Sequence, residues 1–92
     1  MRQRYTLLLV DDQDVNLTIL EAILKDSYDI ATARNGQEAL ALLAASPTRF
    51  AAIVLDVIMP VMDGYAFLQA KATHPEYQNI PVLVATAAQD AD

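Results

Sequence analysis

Short continuous apolar runs alternate along the chain with stretches of helical periodicity. Thr6-Leu7-Leu8-Leu9-Val10 carries no polar alternation, the pattern of a strand covered on both faces of a parallel sheet. Asp11 and Asp12 end it. From Asp14 the period changes: Val15, Ile19 and Ile23, with Leu20 and Leu24, fall at i, i+4 spacing. This predicts an apolar-faced helix to about Asp26, with Asp14 placed to cap it. Tyr28 to Ala33 alternates, with Tyr28, Ile30 and Thr32 on one face and Asp29, Ala31 and Ala33 on the other, which suits a strand nearer an edge. Asn35-Gly36 turns the chain into a second apolar-faced helix built on Ala39, Leu40, Leu42, Leu43 and Ala44. Ser46-Pro47 ends it, because proline restricts the preceding residue to extended conformations.

Ala51-Ala52-Ile53-Val54-Leu55 is again a continuous apolar run that stops at an acid, Asp56. A loop from Val57 to Gly64 leads into a third helical stretch, about Tyr65 to Thr73, closed by His74-Pro75. Ile80 to Ala85 forms a fourth strand, followed by Thr86. The order β-α-β-α-β-α-β calls for an α/β fold: a parallel sheet with right-handed crossovers and helices on both faces.

Composition narrows the picture. Ninety-two residues make one domain with a modest core, and there is no internal repeat, charge run or Gly/Ser linker. A formal charge of −6 speaks against direct nucleic-acid binding and against an anionic membrane surface, yet it permits a divalent cation. The absence of cysteine excludes disulfides, thiolate metal sites and a Cys nucleophile. Arg2 and Arg4 precede only Leu7 to Val10 before the acids, too short a run for a signal peptide or membrane span, so a soluble cytoplasmic protein is expected.

Three of the apolar runs end in oxygen-bearing side chains at the same relative place: Asp11 and Asp12, then Asp56, then Thr86. Strands of a parallel sheet point the same way, so these residues share the carboxyl rim where open α/β sheets bind ligands. Crowded carboxylates repel unless a cation joins them, and hard oxygen donors suit Mg²⁺ or Mn²⁺. A carboxylate beside such a metal is a competent nucleophile for a phosphoryl group, which makes transfer to Asp56 the natural chemistry. The Thr86 hydroxyl is then placed to hydrogen-bond a phosphate oxygen.

These residues resemble the receiver domain of bacterial two-component response regulators. The resemblance rests on Asp11-Asp12 after Leu7-Leu8-Leu9-Val10, on Leu55-Asp56 followed by Met59-Pro60-Val61-Met62-Asp63-Gly64, and on Val84-Ala85-Thr86-Ala87. It covers essentially the whole chain. It implies a flavodoxin-like, CheY-like sheet of order 2-1-3-4. By position, Asp56 is the phospho-acceptor and Thr86 the switch residue. Asp12 and Asp56 are direct metal ligands, Asp11 a ligand through water, and the backbone carbonyl of Ile58 completes the protein's share of an Mg²⁺ or Mn²⁺ shell. The implied role is a non-enzymatic relay that takes its phosphoryl group from a histidine kinase or phosphotransfer protein. Ile58 and Ala88 are apolar where a polar side chain would orient attacking water, so slow spontaneous dephosphorylation is expected.

Other features are set aside. His74 reads as exposed helix-end chemistry, Met59 and Met62 as loop packing, Pro60 as shaping the loop, and Asp63 as a cap or turn residue. The first loop lacks the Gly-rich or hydroxyl-rich cradle of a flavin or nucleotide site. A haloacid-dehalogenase-like phosphatase would place a second Asp where Ile58 stands. A receiver continues past its fourth strand with a helix, a fifth strand and a fifth helix, a deficit here of roughly 35 residues. The family's fifth-strand Lys, and the aromatic before it, therefore have no counterpart, and Lys25 and Lys71 lie on helices away from the rim. The domain over residues 1–92 is thus expected to be C-terminally incomplete. Its fourth strand becomes an open edge that favours self-association. The alternative to a working receiver is a phosphorylation-independent interaction or dimerisation stub that retains the acidic pocket.

Overall fold

The computed structural model describes residues 4–56 and 64–84. In chain order the elements are β1 (Thr6–Val10), α1 (Asp14–Leu24), β2 (Asp29–Ala33), α2 (Gly36–Ala45), β3 (Phe50–Leu55), α3 (Gly64–Ala72) and β4 (Val82–Val84). All strand pairs are parallel and the sheet order is β2-β1-β3-β4, as the resemblance implied.

The uninterrupted apolar character of β1 and β3 follows from their position in the middle of three layers. Leu8 and Val10 of β1, with Ile53 and Leu55 of β3, face α2 and α3 in a core that also contains Ala33, Ala39, Leu43, Phe50, Phe67 and Tyr77. Leu7 and Leu9 face the other way, onto Leu17 of α1, with Leu20, Leu24, Tyr28, Ile30, Ala52 and Val54 around them. The alternation expected for β2 holds: Ile30 lies on the α1 side, and Ala31 and Ala33 on the α2 side. β2 is one edge of the sheet. β4 pairs with β3 and, among the described residues, with no strand beyond, leaving Leu83 and Val84 exposed.

Two expectations for α1 are corrected. Asp14 is the first helical residue rather than the cap; Gln13 holds the cap position and makes no side-chain capping bond. The helix already starts at the Gln13 carbonyl, which accepts from Leu17 N–H at 3.2 Å, so Asp14 stands one residue too late to cap. Its carboxylate pairs instead with Arg34 at 2.9 Å. The second correction concerns the buried face. Leu17, Leu20 and Leu24 pack on the sheet, whereas Val15, Ile19 and Ile23 are exposed by 67%, 53% and 68%. The helix is apolar on two sides, and only one can meet the sheet.

Other ends are set by polar groups. Asn35 caps α2 by accepting from Glu38 N–H at 2.8 Å, while Glu38 reaches back to Arg34 N–H at 2.9 Å, a reciprocal arrangement of the capping-box kind. At the opposite end of the sheet Arg4 donates to the carbonyls of Lys25, Asp26 and Tyr28 and to the Asp29 carboxylate, tying the start of β1 to the exit of α1.

Lys71 of α3 lies away from the carboxyl rim, as expected for a helix residue, but it is buried to 5% exposure, and its ammonium donates to the Gln78 carbonyl at 2.8 Å. Burial pushes this lysine below its ordinary value. At neutral pH the folded chain therefore carries the cost of a poorly solvated charge. As pH rises past the lowered folded value, the folded chain sheds this proton while the unfolded chain still holds it, so stability climbs toward the ordinary lysine range. Burial raises the Tyr77 hydroxyl, so above pH ~10 that group acts in the opposite direction. Lys71→Met is expected to remove the climb below pH ~10. Urea unfolding across that pH range checks it; a variant whose stability still climbed over that range would refute it.

Candidate functional site

The site is assembled by two strand ends. Val10 of β1 stands level with Leu55 of β3 and Ala33 of β2. The backbone ladders continue one residue further, with Asp56 N–H donating to Val10 O at 2.9 Å and Asp11 N–H donating to Ala33 O at 3.0 Å. The residues after β1 and β3 are thereby fixed in place before any side-chain contact is made. Their carboxylates converge: one oxygen from each of Asp11, Asp12 and Asp56 lies within 4.8 Å of the others. Asp11 and Asp56 are buried and Asp12 is half-buried.

The electrostatics of the cluster are unfavourable by themselves. Burial pushes the Asp11 carboxyl up from its ordinary value; hydrogen bonds from Gln13 N–H and the Asn16 amide oppose this, and the charges of Asp56 and Asp12 reinforce it. The same rim carries Arg34, but its guanidinium is ion-paired with Asp14. Three hard carboxylate donors at a partly open strand end match an ion such as Mg²⁺, which takes a few protein oxygens and keeps other positions for water and phosphate oxygens.

The structure thus brings together the three acids singled out from the sequence. Ile58, Thr86 and Ala88 lie outside the described residues, as do Met59, Pro60, Met62 and Asp63. His74 is exposed at the end of α3, with Nδ1 2.9 Å from Ala70 O and its ring stacked on Tyr77, far along the chain from the rim. One neighbour of the cluster was not anticipated. Asn16, on the first turn of α1, reaches Asp11 Oδ2 at 3.2 Å. An Asn five residues after an acid carries no signal until the strand-to-helix turn that joins them is known. Among the described residues, no helix is long and apolar enough to cross a membrane.

Comparison with known proteins agrees with this architecture. The chain is 39% identical over 82 residues to the response regulator PleD of Caulobacter vibrioides, covering 88% of this chain and 18% of that protein. It is 36% identical over 81 residues to a probable cyclic di-GMP phosphodiesterase of Vibrio cholerae, again 88% of this chain and 18% of the relative. The chain therefore spans less than a fifth of these relatives' length. Among solved structures, the chemotaxis protein CheY4 of Vibrio cholerae superposes with a TM-score of 0.85 at 34% identity, covering 96% of this chain and 72% of that one. The phosphorylated cyanobacterial phytochrome response regulator RcpA superposes with a TM-score of 0.86 at 26% identity, covering 96% and 69%. The response regulator receiver domain family matches residues 7–92, and with the sheet order and the acidic strand ends this places the chain in that family.

Proposed function

We propose that the domain accepts a phosphoryl group onto Asp56 from a phosphohistidine donor, with Mg²⁺ or Mn²⁺ held directly by Asp12, Asp56 and the Ile58 carbonyl and through water by Asp11, and with Thr86 responding to the phosphoryl group. The observation that carries this is the convergence of three carboxylates, two of them buried, at the ends of adjacent parallel strands. A bound divalent ion would supply charge neutralisation for the incoming phosphoryl oxygens. Asp56 provides the nucleophile: a carboxylate oxygen bonds to phosphorus as the bond from phosphorus to the donor imidazole nitrogen breaks, and that nitrogen keeps the electron pair and takes up a proton from solvent. Asp11, held on both oxygens by Gln13 N–H and Asn16, stays fixed while the neighbouring charges change.

The reading places the domain in the cytoplasm, where a histidine kinase or phosphotransfer protein would reach it. The exposed stripe of Val15, Ile19 and Ile23 supports a protein donor, because it gives such a partner an apolar surface on the helix that begins beside the acids. The stub alternative would keep the same converging acids, so phosphoryl uptake is what separates the two readings. A small phosphodonor plus Mg²⁺ should add one phosphoryl mass to the intact protein. No mass gain, with metal binding intact, would overturn the acceptor role.

Among the described residues β4 pairs only with β3, and Leu83 and Val84 are 65% and 51% exposed, which supports self-association through strand pairing. Light scattering at micromolar concentration should find dimers or larger species, and a monodisperse monomer would contradict it.

A further inference from the structure

The Asp11 carboxylate is held at both oxygens, and the two holds differ in kind. Oδ1 accepts from the Gln13 backbone N–H at 2.9 Å, a bond that any residue at position 13 except proline would provide. Oδ2 accepts from the Asn16 side-chain amide at 3.2 Å, so this second bond exists only because position 16 carries an amide donor. A single hydrogen bond leaves a carboxylate free to rotate about its Cβ–Cγ bond. Two donors on opposite oxygens fix its plane and leave one lone pair on each oxygen for other partners. Asn16 is itself half-buried on α1, whose position is set by Leu17, Leu20 and Leu24 packing on the sheet. The amide is thus a rigid extension of the α1 packing layer into the acidic cluster.

We infer that Asn16 is a positioning residue of the metal site: by fixing the plane of Asp11 it tunes the cluster for a small ion with strict octahedral demands and against a larger, more tolerant one. The inference rests on the proposed metal role of the acids. Its chemistry is general. Mg²⁺ requires near-ideal octahedral ligand directions and keeps its waters, whereas Ca²⁺ accepts flexible, higher-number coordination, so locking the carboxylate that would orient one of the ion's waters favours Mg²⁺ and releasing it narrows the difference. Loss of a hydrogen-bonding partner behind a ligand commonly costs 10–100-fold in metal affinity. Because Asn16 acts through Asp11, its removal should alter selectivity as well as strength, which a role confined to helix packing would not do.

Calorimetric titration with Mg²⁺ and with Ca²⁺ tests this on the full chain, comparing the unmutated protein with Asn16→Leu, which keeps the branching at Cγ but is larger and has no donor, and Asn16→Ala, in case Leu disturbs the turn. The expected result is a loss of about 10-fold or more in Mg²⁺ affinity, a smaller loss for Ca²⁺, and a lower metal-free melting temperature that is the same background for both ions, because the lost hydrogen bond also supported the buried Asp11 carboxylate. Equal losses for both ions, or no loss, would overturn the positioning role while leaving the metal site standing. Failure of the unmutated chain to bind Mg²⁺ would remove the metal reading and this inference together.

Discussion

Asp56→Asn is expected to abolish phosphoryl uptake and, in the same molecule, to raise the melting temperature of the metal-free domain. The first effect is all-or-none, because the amide that replaces the carboxylate is not a nucleophile toward phosphorus. The second follows from the geometry: Asp56 is buried beside Asp11 and Asp12, with carboxylate oxygens within 4.8 Å, so removing one of three negative charges relieves repulsion. A gain of about 1 kcal/mol, or about 4–8 °C for a domain of this size, is the expected scale. Mg²⁺ should stabilise the unmutated protein and have little effect on the variant, since a ligand that binds only the folded chain raises its stability by mass action. Intact mass and thermal melts with and without Mg²⁺ read all of these outcomes. An Asn variant that still gained phosphoryl mass would place the acceptor elsewhere.

Phe67→Ala is expected to have the largest effect on stability. Phe67 is fully buried on α3 and belongs to the core formed by Leu8, Ile53 and Leu55 of the central strands with Ala39 and Leu43 of α2. Its truncation removes apolar burial and leaves a cavity at the junction of three elements, at a cost of about 3–5 kcal/mol. A domain of this size commonly has only about 5–15 kcal/mol in total. The variant should therefore unfold at a much lower urea concentration. A cost below about 1 kcal/mol would contradict the close packing of α3 on the sheet.

How far the molecule could be read from its sequence depended on whether one residue or a spatial relation carried the signal. β1 and β3 were legible because burial on both faces removes alternation, and the acids that end them were legible as a site because parallel strands share a rim. The faces of α1 were not. Val15, Ile19 and Ile23 form one apolar arc and Leu17, Leu20 and Leu24 another, and periodicity does not say which arc meets a sheet. Lys71 was read as an ordinary helix residue, since nothing local announces that a lysine is buried. Asn16 and Arg4 act across 5 and 25 residues, on Asp11 and Asp29, and their partners become visible only once the turn and the sheet have brought them close. Even the α2 start, where Asn35 and Glu38 stand at capping-box spacing, was read only as an Asn-Gly turn.

The central claim is that Asp56 is the residue that receives the phosphoryl group. Its most direct test is to treat the domain with Mg²⁺ and a small phosphodonor, reduce the acyl phosphate with borohydride, and sequence the peptides by mass. Reduction converts a phosphorylated aspartate to homoserine and leaves free aspartate unchanged. Homoserine at position 56, with Asp11 and Asp12 unaltered, is the result predicted; homoserine at either of the other acids, with Asp56 recovered intact, would contradict it.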